Sequence, residues 1–278
     1  MIHPIKESSE GLEVLKADCE QCFGLCCVAL PFAKSADFAL NKDSGTPCPN
    51  LQQNFMCGIH QNLREKGFKG CTVYDCFGAG QKVSLSTYKG LDWRNDNKRA
   101  QEMFDVFPVM QQLHEMLYYL KEARNREETQ SIKTELQDCY ETIESLTNMK
   151  PEALLLLDVQ AHRSQVNGLL LRTSELVRKE QNRAKKKSTS FLGAKLRKAD
   201  LKGSDFRGAL LIAADLREAD LRRCDWIGAD IRDADLSGAD VRGSIFLTQI
   251  QVNAAKGNRK TKLPPHVKQP EHWLSSKI

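Results

Sequence analysis

Eight of the ten cysteines in this 278-residue chain fall between residues 19 and 76, as CEQCFGLCC (Cys19, Cys22, Cys26, Cys27), PCPNL (Cys48), FMCGIH (Cys57) and GCTVYDC (Cys71, Cys76). A reducing compartment would undo disulfides at such density, so the pattern points to thiolate ligation of a metal. A CxxC turn lets two thiolates reach one ion, and a thiolate-rich set suits zinc or an iron-sulfur cluster. Eight thiols can fill two four-coordinate zinc sites or one cluster with spare thiols, and His60, in Cys57-x-x-His60, can replace any one of them. Spacing leaves the partition open. Gly78 and Gly80, in FGAGQ after Cys76, lack the GK[ST] ending of a phosphate loop and are read as shaping the exit from the metal site.

The run CxxCxxxCC, a Cys near an Asn-Leu, a CxIH segment and a closing Cys pair resemble the YkgJ-like zinc- or iron-chelating cysteine-cluster family over roughly residues 15 to 80. That resemblance implies metal binding and no specified reaction. A metal would also supply the folding energy that a small Cys- and Gly-rich module lacks. A thiol redox or metal-handling enzyme is the alternative reading of the same cysteines.

Residues 1–95 are thus expected to form a small Cys-rich metal-binding module, followed over 96–188 by a helical region and linker. Met103, Phe104, Phe107, Met110, Leu113, Met116, Leu117 and Leu120 recur at threes and fours and predict a helix with a kink near Pro108. A second helix carries Ile132, Leu136, Cys139, Tyr140, Ile143 and Leu146, and a third is expected from about Pro151 to Lys187. Short connections between them predict an antiparallel bundle or helical hairpin. The basic run RKEQNRAKKK (Arg178 to Lys187) is read as a helix end and solvated linker. His114 and His162 have no Cys or His at ligand spacing and are read as ordinary core or surface residues.

From 189 to 248 the chain repeats every five residues, with apolar centres at Phe191, Leu196, Leu201, Phe206, Leu211, Leu216, Leu221, Trp226, Ile231, Leu236, Val241 and Phe246 and a small residue two positions before each. The large and small residues are expected to point inward, and the Asp between them to face water. Aromatic centres Phe206, Trp226 and Phe246 recur every twenty residues, so twenty residues make one coil and the twelve centres make about three. The units match the A(D/N)LXX consensus and resemble the pentapeptide-repeat family, which implies a right-handed, four-sided parallel β-helix. Leu210 and Ile212, in the irregular unit ALLIA, and Ile245 are expected to face outward as an interaction surface. Residues 249–278 are read as a C-terminal cap and tail, with His266, His272 and Trp273 wrapping against the solenoid.

The formal net charge of +5 arises entirely after residue 248, where six basic residues face Glu271 alone. No folded segment therefore presents a net basic field, and nucleic acid is disfavoured as a partner. No apolar run reaches transmembrane length and the first residues lack a signal-like apolar stretch, so a cytoplasmic chain without a membrane partner is expected. No acid, base and nucleophile converge in the sequence, which favours a non-enzymatic metal-binding scaffold or adaptor for a protein partner. The repeat resemblance also implies two further options, a homodimer and a DNA gyrase-binding protein that imitates duplex DNA. The ten acidic and ten basic residues of 189–248 disfavour the second.

Overall fold

The computed structural model describes residues 11–179 and 189–274. They form two compact units, one built from Gly11–Lys121 and Thr134–Asn167, the other from Glu122–Lys133 and Gly168 onward. The helices are α1 (Leu25–Ala29), α2 (Ala79–Gln81), α3 (Asn97–Arg124), α4 (Lys133–Leu146), α5 (Pro151–Leu155), α6 (Val159–Arg178), α7 (Gln249–Ala254) and α8 (Glu271–Leu274), with a π-helical turn at Lys82–Thr87.

In the first unit the apolar stripe of α3 is the core. Met103, Val106, Phe107, Met110, Leu113 and Leu120 are buried, and the helix runs through Pro108 without interruption. The hydrogen bond that Pro108 cannot make is offset by the packing of the side chains around it. α4 buries Leu136, Cys139, Tyr140 and Ile143 on one face. The expected third helix is in fact two, because Asp158 accepts the Ala161 N–H at 3.0 Å and caps a new start. The leucine run before it carries no 3.6-residue period, and Leu156 is 86% exposed. Most of the RKEQNRAKKK linker lies outside the described residues.

The second unit corrects the expectation of a C-terminal parallel β-helix. Its described residues contain no β-strand and no sheet; every regular element is helical, and the repeats meet only through isolated single-residue parallel bridges. The reason is the five-residue period. The backbone turns into the left-handed region two residues after each centre from Phe191 to Val241, at Gly193, Lys198, Gly203, Gly208, Ala213, Glu218, Arg223, Gly228, Asp233, Gly238 and Gly243. Only a very short extended stretch survives between turns, too short to count as a strand. What remains is a stacked coil of turns with a twenty-residue rise, its bridges running Ser190 to Leu210 to Asp230, Lys195 to Asp215 to Asp235, Asp200 to Asp220 to Asp240, and Asp205 to Asp225 to Ile245. From Phe191 to Trp226 each centre N–H reaches the carbonyl nineteen residues on, as in Leu196 to Asp215 at 2.8 Å and Leu201 to Asp220 at 2.9 Å.

Inside the coil the alternation of small and large side chains is fully used. Ala209, Ala214, Ala219, Ala234 and Ala239 are buried with Leu211, Leu216, Leu221, Leu236 and Val241, and the aromatic column places the Phe206 and Trp226 rings 4.9 Å apart. Phe191, Leu196 and Leu201 of the first coil are only partly buried against this core.

The other end is closed by the C-terminal segment. Lys256 and Lys262 bridge to Asp235 and Asp240, extending two columns of the coil. A capping box of Thr248 and Gln251 starts α7, and the Gln251 amide donates to the carbonyls of Trp226 and Ala229 at 2.9 Å. The bond to Ala229 O occupies an acceptor at the end of the coil, while Trp226 O also accepts the Ala229 N–H at 2.9 Å. The Trp273 indole is buried and donates to Ala255 O at 3.0 Å, while His266 and His272 hydrogen-bond Leu247 O and Ala255 O.

Candidate metal centre

All eight N-terminal cysteines lie in the first unit, and none is in a disulfide. Four local devices position them. Cys19 opens a 3-10 turn capped by Asp18, whose carboxylate accepts the Glu20 N–H. Gln81 of α2 clamps this segment, accepting the Asp18 N–H at 3.2 Å and donating to Lys16 O at 2.7 Å. Gly24, at φ +66, starts α1 where a Cβ would stand 2.6 Å from Leu51 Cδ1 and 2.9 Å from Phe55 O, so only glycine admits the close approach that brings Cys26 and Cys27 over the 48–57 loop. That loop is pinned by Cys48 N–H to Cys27 O at 2.9 Å and by an antiparallel bridge between Leu51 and Cys57.

Burial raises the Cys22, Cys76 and Cys57 thiols, and nearby donors pull against it: the N–H groups of Leu25 and Gly24 and the Ser84 hydroxyl at Cys22, the N–H groups of Gly80 and Gly78 at Cys76, and that of Ile59 at Cys57. Ser84 is fully buried by the π-helical turn and also accepts the Phe23 N–H at 3.0 Å. Such N–H donation favours thiolate over thiol. Burial acts in the opposite direction and, reinforced by neighbouring thiolates, pushes the Cys19 thiol up to about 11 and the Cys71 thiol up to about 12. The Cys26 and Cys27 sulfurs lie 3.9 Å apart and share one hydrogen bond, which holds Cys26 well above and Cys27 below the ordinary thiol range.

Lys42 is the cation among these sulfurs. It is 5% exposed, donates to the carbonyls of Val28, Asp43 and Thr46, and lies within electrostatic reach of Cys48, Cys27 and Cys26. The sequence reading missed it, although a lysine between two cysteine segments was the available signal. His60 is exposed, in the 3-10 turn His60–Asn62. Among the described residues no three His, Cys, Asp or Glu side chains converge into a coordination shell for a metal ion. The donor set nonetheless has the chemistry that suits a thiophilic cation: free thiols in excess and a buried ammonium to offset thiolate charge.

In the second unit the repeat Asp does more than face water. Its carboxylate accepts the N–H two residues on, as in Asp205 to Arg207, Asp225 to Ile227, Asp235 to Ser237 and Asp240 to Arg242, which is the Asx turn that shapes each corner. Where that next residue is Arg, the guanidinium also folds back on the same carboxylate, at 2.6 Å for Arg217 on Asp215 and 2.8 Å for Arg232 on Asp230. Arg217 holds the Asp215 carboxyl down at about 2. These columns are charge-paired along their length and do not present a phosphate-like acidic face.

The three expected surface residues separate. Leu210 is 47% exposed and Ile212 is half-buried, but Ile245 is fully buried. Ile245 ends the column of Asp205 and Asp225, the side of the coil that the α6 residues Arg178 and Ser174 cover within the same unit. A covered position cannot contribute to a docking surface.

Residues 187–211 and 209–246 match the family model for pentapeptide repeats, in eight copies. Over 264 residues the chain is 62% identical to Uncharacterized protein YybG of Bacillus subtilis (strain 168), covering 93% of this chain and 95% of that one. The chain belongs to the YybG family. The matched stretch is long enough to take in the cysteine-rich unit as well as the repeats. No solved structure matches. The YkgJ-like resemblance of residues 15 to 80 rests on its own motif. No helix among the described residues is long and apolar enough to cross a membrane.

Proposed function

We propose that the protein is a cytoplasmic metal-binding scaffold, in which the cysteine unit holds zinc or iron-sulfur and the pentapeptide repeats serve macromolecular interaction. The observation that carries this reading is that eight free cysteines from segments 19–27, 48–57 and 71–76 belong to one compact unit, two of these segments being tied by the Cys48 N–H to Cys27 O bond. A metal there ties the separate segments together and supplies folding energy. On the repeats, Leu192 and Leu210 are 66% and 47% exposed on an otherwise charged coil, and they are the apolar positions offered to a protein partner. The charge-paired Asp columns argue against gyrase binding by DNA mimicry.

Anaerobic purification of the full chain, with metal and acid-labile sulfide analysis, tests the reading. Stoichiometric zinc, or iron with sulfide, is the expected result, and iron with sulfide would move a redox role ahead of a purely structural one. A protein that carries no metal and takes up none when reduced and supplied with zinc or cobalt overturns it.

A further inference from the structure

Helix α1 is a single short turn, LCCVA, in which every residue has a place. Leu25, Val28 and Ala29, three and four positions apart, are buried and fix the roll of the helix against the core. Cys26 and Cys27 are the two positions left over; both are half-buried, and their sulfurs lie 3.9 Å apart. The backbone around the pair is held on both sides. Gly24 O accepts the Cys27 N–H at 2.9 Å, Cys27 O accepts the Cys48 N–H at 2.9 Å, and Val28 O accepts the Gly45 N–H and the Lys42 ammonium, each at 3.0 Å. The ammonium also donates to Asp43 O at 3.1 Å and Thr46 O at 3.0 Å. All three of its donors are thereby taken by carbonyls, which leaves a fixed positive charge anchored one residue beyond the pair.

Two neighbouring thiols can oxidise together or share a ligand, and geometry separates the two fates. Adjacent Cα atoms across a trans peptide are about 3.8 Å apart, closer than the about 4.4 to 6.8 Å that ordinary disulfides require. Two sulfurs on one tetrahedral ion, with metal-sulfur bonds of about 2.3 Å, stand about 3.8 Å from each other. The observed 3.9 Å between Cys26 and Cys27 matches that edge.

We infer that Cys26 and Cys27 bind one and the same thiophilic ion, as two corners of a mononuclear tetrahedral centre. This rests on the metal-binding reading above and narrows it, because in a four-iron cluster held by four cysteines each iron takes a single thiolate. Among the described residues no third His, Cys, Asp or Glu completes a ligand group. The Cys26-Cys27 edge is therefore the preformed part of the centre, and the remaining ligands join it when the ion binds. Lys42 offsets part of the charge of two thiolates brought to one ion.

The test is proton-cadmium correlation NMR on the reduced full-length protein loaded with an NMR-active isotope of cadmium, a thiophilic stand-in for zinc. The β-protons of Cys26 and of Cys27 should couple to one common cadmium resonance. Coupling of the two residues to different resonances, or of fewer than both to any resonance, overturns the shared ion while leaving metal binding standing. Iron with acid-labile sulfide on these cysteines overturns the mononuclear centre. A protein that takes up neither cadmium nor zinc overturns the underlying reading instead. Zinc content of serine variants gives a second readout: Cys26→Ser and Cys27→Ser should lose equal amounts of metal, and Cys26→Ser/Cys27→Ser no more than either alone. A double variant that loses the sum of the two single losses overturns the shared ion.

Discussion

The carboxylate of Glu122 accepts the backbone N–H of Phe246 at 2.9 Å across 124 positions of sequence, and both residues are buried. One turn further along, Arg126 pairs with Glu122 at 3.6 Å and donates to the carbonyls of Gly243 and Ser244. An ion pair at the end of α3 and just beyond it thus satisfies the backbone of the last pentapeptide, where a left-handed Phe246 leaves the repeat pattern. Glu122→Ala would leave a buried guanidinium without its carboxylate and a buried N–H without an acceptor. The expected loss is about 3 to 5 kcal/mol, read by urea denaturation, while Glu122→Gln, which keeps an acceptor for Phe246, should lose clearly less.

The corner geometry predicts opposite effects at two exposed turns. Ala213 sits at φ +56 and Gly208 at φ +63, with nothing within 4 Å of a Cβ built at Gly208. Ala213→Gly should therefore stabilise the coil and Gly208→Ala destabilise it, each by about 1 kcal/mol. Equal and negligible shifts in the thermal midpoint would show that the corners are not left-handed.

Trp226 is fully buried in the aromatic column, next to Phe206. Truncation to Ala removes the filling of a whole layer and should cost about 3 to 5 kcal/mol. Metal content should not change, since the cysteines belong to the other unit; loss of metal would contradict that independence.

His114 is buried in the first unit and donates from Nδ1 to Phe77 O at 2.8 Å as the neutral ring. Burial holds its pKa down at about 4, below the usual 6.5. The unfolded chain takes up the proton first as pH falls, so this contribution to stability is complete above pH 6.5 and is lost progressively toward pH 4. Its full size is about 3 kcal/mol. In His114→Asn, stability should fall less steeply between pH 7 and pH 4 than in wild type, measured by chemical denaturation across that range.

Gly257 lies against the Trp273 indole, with a Cβ position 2.5 Å from the ring. Gly257→Ala should displace the indole from the coil end, shifting tryptophan emission to the red at a cost of about 1 to 3 kcal/mol. An unchanged spectrum would mean that the cap does not seat there.

The five-residue period alone determined the twenty-residue coil, the inward alternation of Ala with large apolar centres, and the aromatic column, because a narrow interior imposes those residue types directly on the sequence. It did not determine backbone class: left-handed corners every five residues leave bridges where strands were expected, and dihedral angles at Lys198 or Glu218 are not written in their side chains. Surface assignment failed at Ile245 for a related reason, since its neighbours Ser244 and Phe246 are bound by Arg126 and Glu122 from elsewhere in the chain. In the N-terminal unit, residue type was enough to announce thiolate chemistry. The buried Lys42 and the ties that hold segments 19–27 and 48–57 came only with tertiary structure, because these segments are pinned through Gln81, Gly24, the Cys48 to Cys27 bond and the Leu51 to Cys57 bridge, and no spacing along one segment encodes which of the others it meets.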